Sequence, residues 1–327
     1  MSGHVAVIAM GGTIAMAPSA SGGIVPSLGA DDLVAAVPGL ADLAVEIRTT
    51  TLRSLPSPSL GFDDLVALSD LVRAELAAGA VGVVITHGTD TIEETAFFLD
   101  LTVGTDAPVV VTGAMRHPEA AGADGPANLY AAVRVATAPA ARGLGALVVM
   151  SDEIHGARFV RKSHTFSTAA FVSPAFGPLG LVVEGDPRIR GAARTGFTVA
   201  ASPAIAELRV GLLTVALGDD GELLRRAGDA FDGLVIAGLG AGHVPAGMVE
   251  LVAEFASAIP VVLSSRTGAG SVLRQTYGYP GSERDLLDRG LIQSGFLDPA
   301  KARVLLALLL ASGATRDDLV SAFDRYR

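Results

Sequence analysis

Cysteine and tryptophan are both absent from this 327-residue chain. Without a thiol there is no disulfide, no thiolate nucleophile and no thiolate metal ligand. Histidine is sparse. Its six copies are scattered, with no H-E-x-x-H and no i, i+4 pair, so neither a metal nor a cofactor is expected. The G-x-S-x-G turn of serine hydrolases is missing. So are the G-x-G-x-x-G dinucleotide spacing and the lysine of a phosphate loop. No apolar run approaches the roughly 18–20 residues that span a bilayer; the Leu-rich run 304–310 is short and reads as a buried helix. Positive charge is in short supply: 24 Lys and Arg against 34 Asp and Glu leave a net charge of −10. That argues against a nucleic-acid partner, while a local pocket remains free to hold a small anion. Residues 1–4 carry no basic region and lead straight into a strand, so no secretory signal, no membrane partner and a cytoplasmic location are the expectation. There is no repeat and no low-complexity tract.

Core material is plentiful, since half of the residues are hydrophobic. Ala, Val and Leu dominate, which suits strands buried on both faces with helices packed closely on them. The chain alternates strand and helix, the pattern of a parallel sheet. Strands are expected at 5–10, 45–48, 81–86, 109–112 and 147–151, and helices at 31–36, 62–78, 92–101 and 127–136. Residues 179–206 break the pattern and read as a hairpin-like excursion followed by a linker. Alternation resumes with 210–214, 223–227, 233–236, 248–256, 261–264 and 300–310, where Asp298-Pro299 makes a good helix start. The expected fold is α/β with two domains. The larger, 1–190, carries a mostly parallel doubly wound sheet; a linker spans 191–208; the smaller, 209–327, is a parallel α/β domain.

Two strings stand where a buried strand opens into a loop: Gly11-Gly12-Thr13-Ile14 and His87-Gly88-Thr89-Asp90-Thr91. In open parallel sheets ligands gather beyond the carboxyl ends of the strands. Two hydroxyls delivered to one crevice, one with a carboxylate beside it, point to nucleophilic chemistry. Each string has a plainer reading. The glycines allow any tight strand exit. Asp90 or Thr91 fits a helix cap, and Thr91 with Glu94 fits a capping box. His87 reads as a buried, hydrogen-bonded histidine. Arg161-Lys162-Ser163-His164-Thr165 reads as a solvated basic loop, although a desolvated lysine is able to serve as a base. The glycine-rich stretch 267–271 reads as a flexible loop.

Taken together these strings resemble the bacterial-type L-asparaginases of the asparaginase/glutaminase family. The resemblance runs along nearly the whole chain. It is carried by Ala9-Met10-Gly11-Gly12-Thr13-Ile14-Ala15, by Ile85-Thr86-His87-Gly88-Thr89-Asp90-Thr91-Ile92-Glu93-Glu94-Thr95, and by Val111-Thr112-Gly113-Ala114-Met115-Arg116. Ala123-Asp124-Gly125-Pro126-Ala127-Asn128-Leu129, Phe176-Gly177-Pro178-Leu179-Gly180 and Lys301-Ala302-Arg303 add to it. The resemblance implies hydrolysis of the side-chain amide of L-asparagine to L-aspartate and ammonia through an acyl-enzyme. Thr13 matches the nucleophile. Thr89 matches the second signature threonine, beside the lysine matched by Lys162. Asp90 matches the residue that holds the substrate α-ammonium. Gly12 and Gly88 line the substrate pocket, and the N–H groups around Thr89 and Ala114 match the oxyanion site. Ser57, with Ser59 as the alternative, matches the serine that meets the α-carboxylate. The implied assembly is a homotetramer built as a dimer of dimers, in which an adjacent chain supplies an Asn and a Glu.

Two departures stand out. Residues 15–35 contain no tyrosine, whereas the family commonly has one there, bonded to the nucleophile; Gly22-Gly23-Ile24 occupies the region, and Tyr277 of a neighbouring chain is one expected substitute. His243 stands where the Asn is expected, and Glu283 matches the Glu. The alternatives are a glutaminase-asparaginase of broad specificity, or a catalytically impaired homologue that only binds an amino acid. One methylene changes binding by only about 1–3 kcal/mol, so both amides are open.

Overall fold

Residues 5–10 are apolar at every position, as a strand covered on both faces must be. They form β1 (His4–Gly11), buried from end to end. The computed structural model describes residues 3–18, 23–190 and 197–327. The chain divides into two units, residues 1–198 and 199–327. Of the expected linker, residues 191–196 lie outside the described residues; so does Gly22.

In unit 1, β1 is followed by a small hairpin of β2 (Met16–Pro18) and β3 (Ile24–Pro26), then α1 (Ala30–Ala35), β4 (Glu46–Leu55), α2 (Phe62–Ala77), β5 (Ala80–Thr86), α3 (Ile92–Thr102), β6 (Val109–Thr112), α4 (Gly125–Thr137) and β7 (Ala146–Met150). The chain continues through β8 (Glu153–Gly156), β9 (Arg161–Lys162), β10 (Phe171–Val172), β11 (Gly180–Val183) and β12 (Asp186–Ile189). Eight of these strands make one sheet, ordered β12-β11-β8-β7-β6-β5-β1-β4. β4, β1, β5, β6 and β7 are parallel. β8, β11 and β12 extend the edge in antiparallel fashion. Two-residue turns with positive φ at both positions, Ser151-Asp152 and Glu184-Gly185, link β7 to β8 and β11 to β12. The second of these hairpins is the excursion expected after residue 179.

Side chains alternate between two cores. Val5, Val7, Val84, Val110 and Val149 pack with α1 and α4 residues such as Leu33, Leu129 and Val133. Ala6, Ile8, Met10, Ile85 and Val111 pack with Leu68 and Val72 of α2 and with Ala96 and Leu99 of α3. Strand order reverses at β1: the chain steps through α1 to β4 on one side, then through α2 back to β5 on the other. That makes β1 and β5 the switch point, where ligands bind in such sheets. The crossovers through α1, α2 and α3 share one hand. The one through α4 has the opposite hand, because α4 lies on the α1 face while the chain steps onward from β6 to β7. This exception brings the loop after β6 and the start of α4 to the loop after β1.

Unit 2 contains β13 (Val210–Thr214), α5 (Glu222–Ala227), β14 (Gly233–Gly238), α6 (Val249–Ala258), β15 (Val261–Ser265), α7 (Glu283–Asp288), β16 (Ile292–Gln293), α8 (Pro299–Ala311) and α9 (Arg316–Asp324). Its four strands are parallel and lie in sequence order. Leu224, Val249, Val252 and Leu286 pack on Leu234, Ile236, Val261 and Leu263. α8 packs against β13, β14 and β15. Asp298 caps α8 by accepting from the Lys301 N–H, with Pro299 in the first turn, as its sequence leads one to expect. α7, β16 and α9 were not expected. Among the described residues no helix is long and apolar enough to cross a membrane.

Candidate active site

The loops leaving β1 and β5 meet backbone to backbone. A Cβ on Gly12 would stand 2.2 Å from Gly88 Cα and 2.3 Å from Gly88 N. Gly12 also has φ of 82°, open to glycine at little cost. Its N–H bonds to Leu55 O at the end of β4, 3.0 Å away. Thr13 follows at once, half-buried, at the head of a short 3-10 turn, and Thr89 follows Gly88. The two threonines expected to act together therefore each lie one residue beyond the same glycine contact.

Thr89 Oγ1 accepts from Lys162 Nζ at 2.8 Å. The same ammonium pairs with Asp90 Oδ1 at 2.5 Å. Lys162 reaches this place from β9, and its own N–H donates to Glu93 Oε2 at the start of α3, 2.5 Å away. The lysine side chain is 16% exposed and the aspartate 58%, so Asp90 presents its carboxylate outward. The reading of 161–165 as a solvated loop gives way here: Arg161 and Lys162 pair with Val172 and Phe171 in a two-stranded ribbon, and Thr89 and Asp90 draw the lysine inward. The capping reading also gives way. Thr91 occupies the cap position of α3 but makes no side-chain cap; its hydroxyl donates to Ser57 O at 3.3 Å, and Asp90 faces Lys162.

Ser57 lies against Gly88, whose missing side chain makes the room: a Cβ there would stand 2.6 Å from Ser57 Oγ. Ser57 is 2% exposed, and its Oγ has no hydrogen-bond partner among the described residues. A buried hydroxyl without a partner is costly, of order 1–3 kcal/mol, and signals a missing ligand or water. Ser59, the alternative, is exposed.

The third loop follows β6. Gly125, at the start of α4, lies within contact reach of both Ile14 and Ala114. Ala114 is fully buried. Asp124 accepts from the N–H groups of Met115 and Arg116, and Asn128 Nδ2 donates to Gly113 O at 3.0 Å, so two side chains clamp the loop. Sequence reasoning assigned no role to Glu93, Asp124 or Asn128. All three stand inside the motif strings, and the signal for them is a polar residue at the first turn of a helix beside a functional loop.

His87 is fully buried. Its Nδ1–H donates to Gly88 O at 2.8 Å, and its Nε2 accepts from Thr95 Oγ1 at 3.1 Å. Loss of hydration pushes its pKa down to about 4 against the bond to Gly88, so it is neutral at pH 7 and braces the loop.

Glu283 belongs to unit 2 and is fully buried. Oε1 accepts from the N–H groups of Thr276 and Tyr277 at 3.0 and 2.9 Å, and Oε2 from His243 Nε2 at 3.1 Å. Burial pushes its carboxyl up, but the N–H groups of Tyr277, Glu283 itself and Thr276, together with His243, outweigh this and hold it below the usual carboxylate range. With both oxygens enclosed, Glu283 meets His243 and not solvent.

A threonine–lysine–aspartate cluster at the switch point of a doubly wound sheet, on a chain with a second parallel α/β unit, defines a narrow class of two-domain enzymes. Residues 4–194 match the family model "Asparaginase, N-terminal", and residues 209–323 match "Glutaminase/Asparaginase C-terminal domain". The chain belongs to the asparaginase family. It is 41% identical over 323 residues to a probable L-asparaginase of Deinococcus radiodurans, covering 98% of this chain and 97% of that one. It is 35% identical over 336 residues to a glutaminase-asparaginase of Pseudomonas aeruginosa, with 99% and 90% covered. Among solved structures, that of a probable cytoplasmic L-asparaginase from Campylobacter jejuni superposes with a TM-score of 0.87 at 33% identity, over 98% of this chain and 99% of that one.

Proposed function

We propose that this chain hydrolyses the side-chain amide of L-asparagine to L-aspartate and ammonia. The observation that carries the reading is Lys162 Nζ, held between Thr89 Oγ1 and Asp90 Oδ1 beside the Gly12–Gly88 contact. Thr13 Oγ attacks the amide carbon, ammonia leaves, and water cleaves the resulting ester. Thr89 and Lys162 orient and activate the groups that attack. Asp90 serves two cations: Lys162 in the free enzyme and the α-ammonium of the substrate in the complex. Its exposed carboxylate supports this, and such charge-assisted bonds are the strong ones. The partnerless Ser57 hydroxyl supports a role as donor to the α-carboxylate, with Gly12 and Gly88 leaving the space. The N–H groups of Thr89 and Ala114 receive the developing oxyanion, where preorganised donors count most.

Lys162 acts through its 2.8 Å contact with Thr89 Oγ1, on that hydroxyl or on the water of the second step. The Campylobacter relative, a probable cytoplasmic enzyme, favours a cytoplasmic location; the assembly that the resemblance implies, a homotetramer built as a dimer of dimers, is tested by light scattering. We assign Glu283 an indirect part, through His243, because its oxygens are already taken. The Pseudomonas relative favours a second reading in which glutamine is also cleaved.

Ammonia release from L-asparagine and L-glutamine by the wild type, Thr13→Ala and Thr89→Ala tests the proposal. Each variant is expected to lose on the order of 10³-fold or more in kcat, because each removes an activated group. Wild-type turnover in either one, or ligand-induced thermal stabilisation of the wild type with no ammonia, overturns it.

A further inference from the structure

Ala114 is fully buried, and among the described residues no hydrogen bond reaches its N–H or its C=O. Buried backbone groups without partners are rare, and two on one residue call for a ligand or a water. The segment is tightly placed. Gly113 presses on the loop after β5: a Cβ there would stand 2.5 Å from His87 O and 3.5 Å from Thr89 Cγ2. A Cβ on Gly125 would stand 3.0 Å from Ile14 Cγ1 and 3.4 Å from Ala114 Cβ. Residues 113 and 114 thus stand beside both threonine loops.

What holds them is Asn128, a buried side chain in the first turn of α4. Its whole amide is engaged. One Nδ2 hydrogen goes to Gly113 O at 3.0 Å and the other to Asp124 Oδ2 at 3.1 Å, while Oδ1 accepts from the Ser151 N–H at 3.0 Å. Turning the amide over would set its oxygen against two oxygens, so one orientation is fixed. Gly113 C=O and Ala114 N–H belong to one peptide unit. It is trans, so the two groups point opposite ways. Gripping the carbonyl therefore aims the N–H away from Asn128. The next peptide is gripped by its other end: Met115 N–H donates to Asp124 Oδ1 and Oδ2 at 3.1 and 2.9 Å, which turns Ala114 C=O away from Asp124. The Gly88–Thr89 peptide is held in the same sense as the first, since Gly88 O accepts from His87 Nδ1 at 2.8 Å. A clamp that served folding alone would satisfy the Ala114 groups and not strand them.

We propose that Asn128 is a positioning residue for amide hydrolysis: by gripping Gly113 O it aims the Ala114 N–H at the oxygen that becomes the oxyanion when Thr13 attacks. The proposal rests on the amidase reading above, with Ala114 as one of the oxyanion donors. As Thr13 Oγ bonds to the amide carbon, the carbonyl π pair moves onto oxygen, and the Ala114 N–H meets the charge that forms there. When the intermediate collapses the pair returns, the C–N bond breaks, and the nitrogen leaves as ammonia with the proton released by the Thr13 hydroxyl. Asn128 neither gives nor takes a proton. A preorganised donor works most in the transition state, so the grip is read in kcat and not in substrate binding.

Asn128→Asp keeps the size of the side chain and the acceptor for Ser151, and removes the donor to Gly113 O. The variant is expected to lose about 10²-fold in kcat, the cost of a group displaced by about 1 Å. Binding separates aim from mere support. In an inactive Thr13→Ala background, adding Asn128→Asp is expected to leave the Kd for L-asparagine, measured by calorimetry, within about threefold. A kcat within about twofold of the wild type, alongside an inactive Thr13→Ala, overturns the aiming role and leaves the amidase reading standing. A Kd that weakens as much as kcat falls also overturns it, because Asn128 then supports the whole loop and not one donor. If a buried charge keeps Asn128→Asp from folding, Asn128→Ser, too short to span to Gly113, is put through the same two measurements and decides. An active Thr13→Ala overturns the reading itself, and the proposal with it.

Discussion

Replacing Gly12 with alanine forces a methyl group into main chain. The new carbon would stand 2.2 Å from Gly88 Cα, 2.3 Å from Gly88 N and 2.9 Å from His87 C. All three are backbone atoms, so no side chain can swing away. With φ of 82° and ψ of −175°, a conformation essentially only glycine adopts, an alanine there adds about 1–3 kcal/mol. Overpacking of a tight contact adds about 1–3 kcal/mol. Together they cost about 2–6 kcal/mol, and for a domain of this size each kcal/mol lowers Tm by roughly 2–4 °C. The expected fall in Tm is therefore roughly 4–24 °C. Relief by moving the loops apart separates Thr13 from Thr89, and a displacement of about 1 Å can cost on the order of 10²-fold in rate. Thermal denaturation and ammonia-release kinetics on Gly12→Ala read both effects. A variant that melts with the wild type and turns over at the wild-type rate would refute the claim that this contact sets the spacing of the two hydroxyls.

Ser57→Ala is expected to raise Tm by roughly 2–12 °C, because it removes a partnerless buried hydroxyl that costs about 1–3 kcal/mol in the free protein. It should raise KM about 10- to 150-fold, the equivalent of one hydrogen bond to a charged group at about 1.5–3 kcal/mol; a lowered Tm with an unchanged KM would mark Ser57 as structural. His87 and His155 are both pushed down to about 4 by burial. The unfolded chain binds these protons near pH 6.5 and the folded chain only near pH 4, so their contribution is complete above pH 6.5 and is lost as pH falls towards 4. Denaturation at successive pH values should show stability declining by up to about 3 kcal/mol per histidine over this window, with a shallower decline in His155→Gln; a flat profile contradicts it.

The fold was legible wherever a segment carried its own signal. Residues 5–10 and 81–86 announce buried strands by composition, and β1 and β5 match them within two residues at each end. The hand of the α4 crossover was not legible, because it depends on which face α4 covers and not on any local pattern. β9 and β10, two residues each, fall below any periodicity and exist through pairing with each other. α9 was overlooked although Thr315 and Asp318 form a capping box; its apolar stripe is thin, with Leu319, Ala322 and Phe323 its buried residues. In the site, the strings at the strand ends pointed to Thr13 and Thr89 and the family resemblance to Asp90 and Lys162, whereas the partners that hold them are distant in sequence. Glu93 and Lys162 meet across 69 positions and Thr91 and Ser57 across 34, and no local rule links such pairs. The capping motif at Thr91 misled for the same reason: a tertiary bond outcompeted the local one.

The apposition of Gly12 and Gly88 involves no side-chain atom of either residue. Drift in the surrounding side chains can therefore reshape the pocket, altering which amide is preferred, without detuning the alignment of the reacting groups. Chemistry and selectivity become separately adjustable. A designer seeking a new substrate has latitude in the walls and none at the hinge between these two loops.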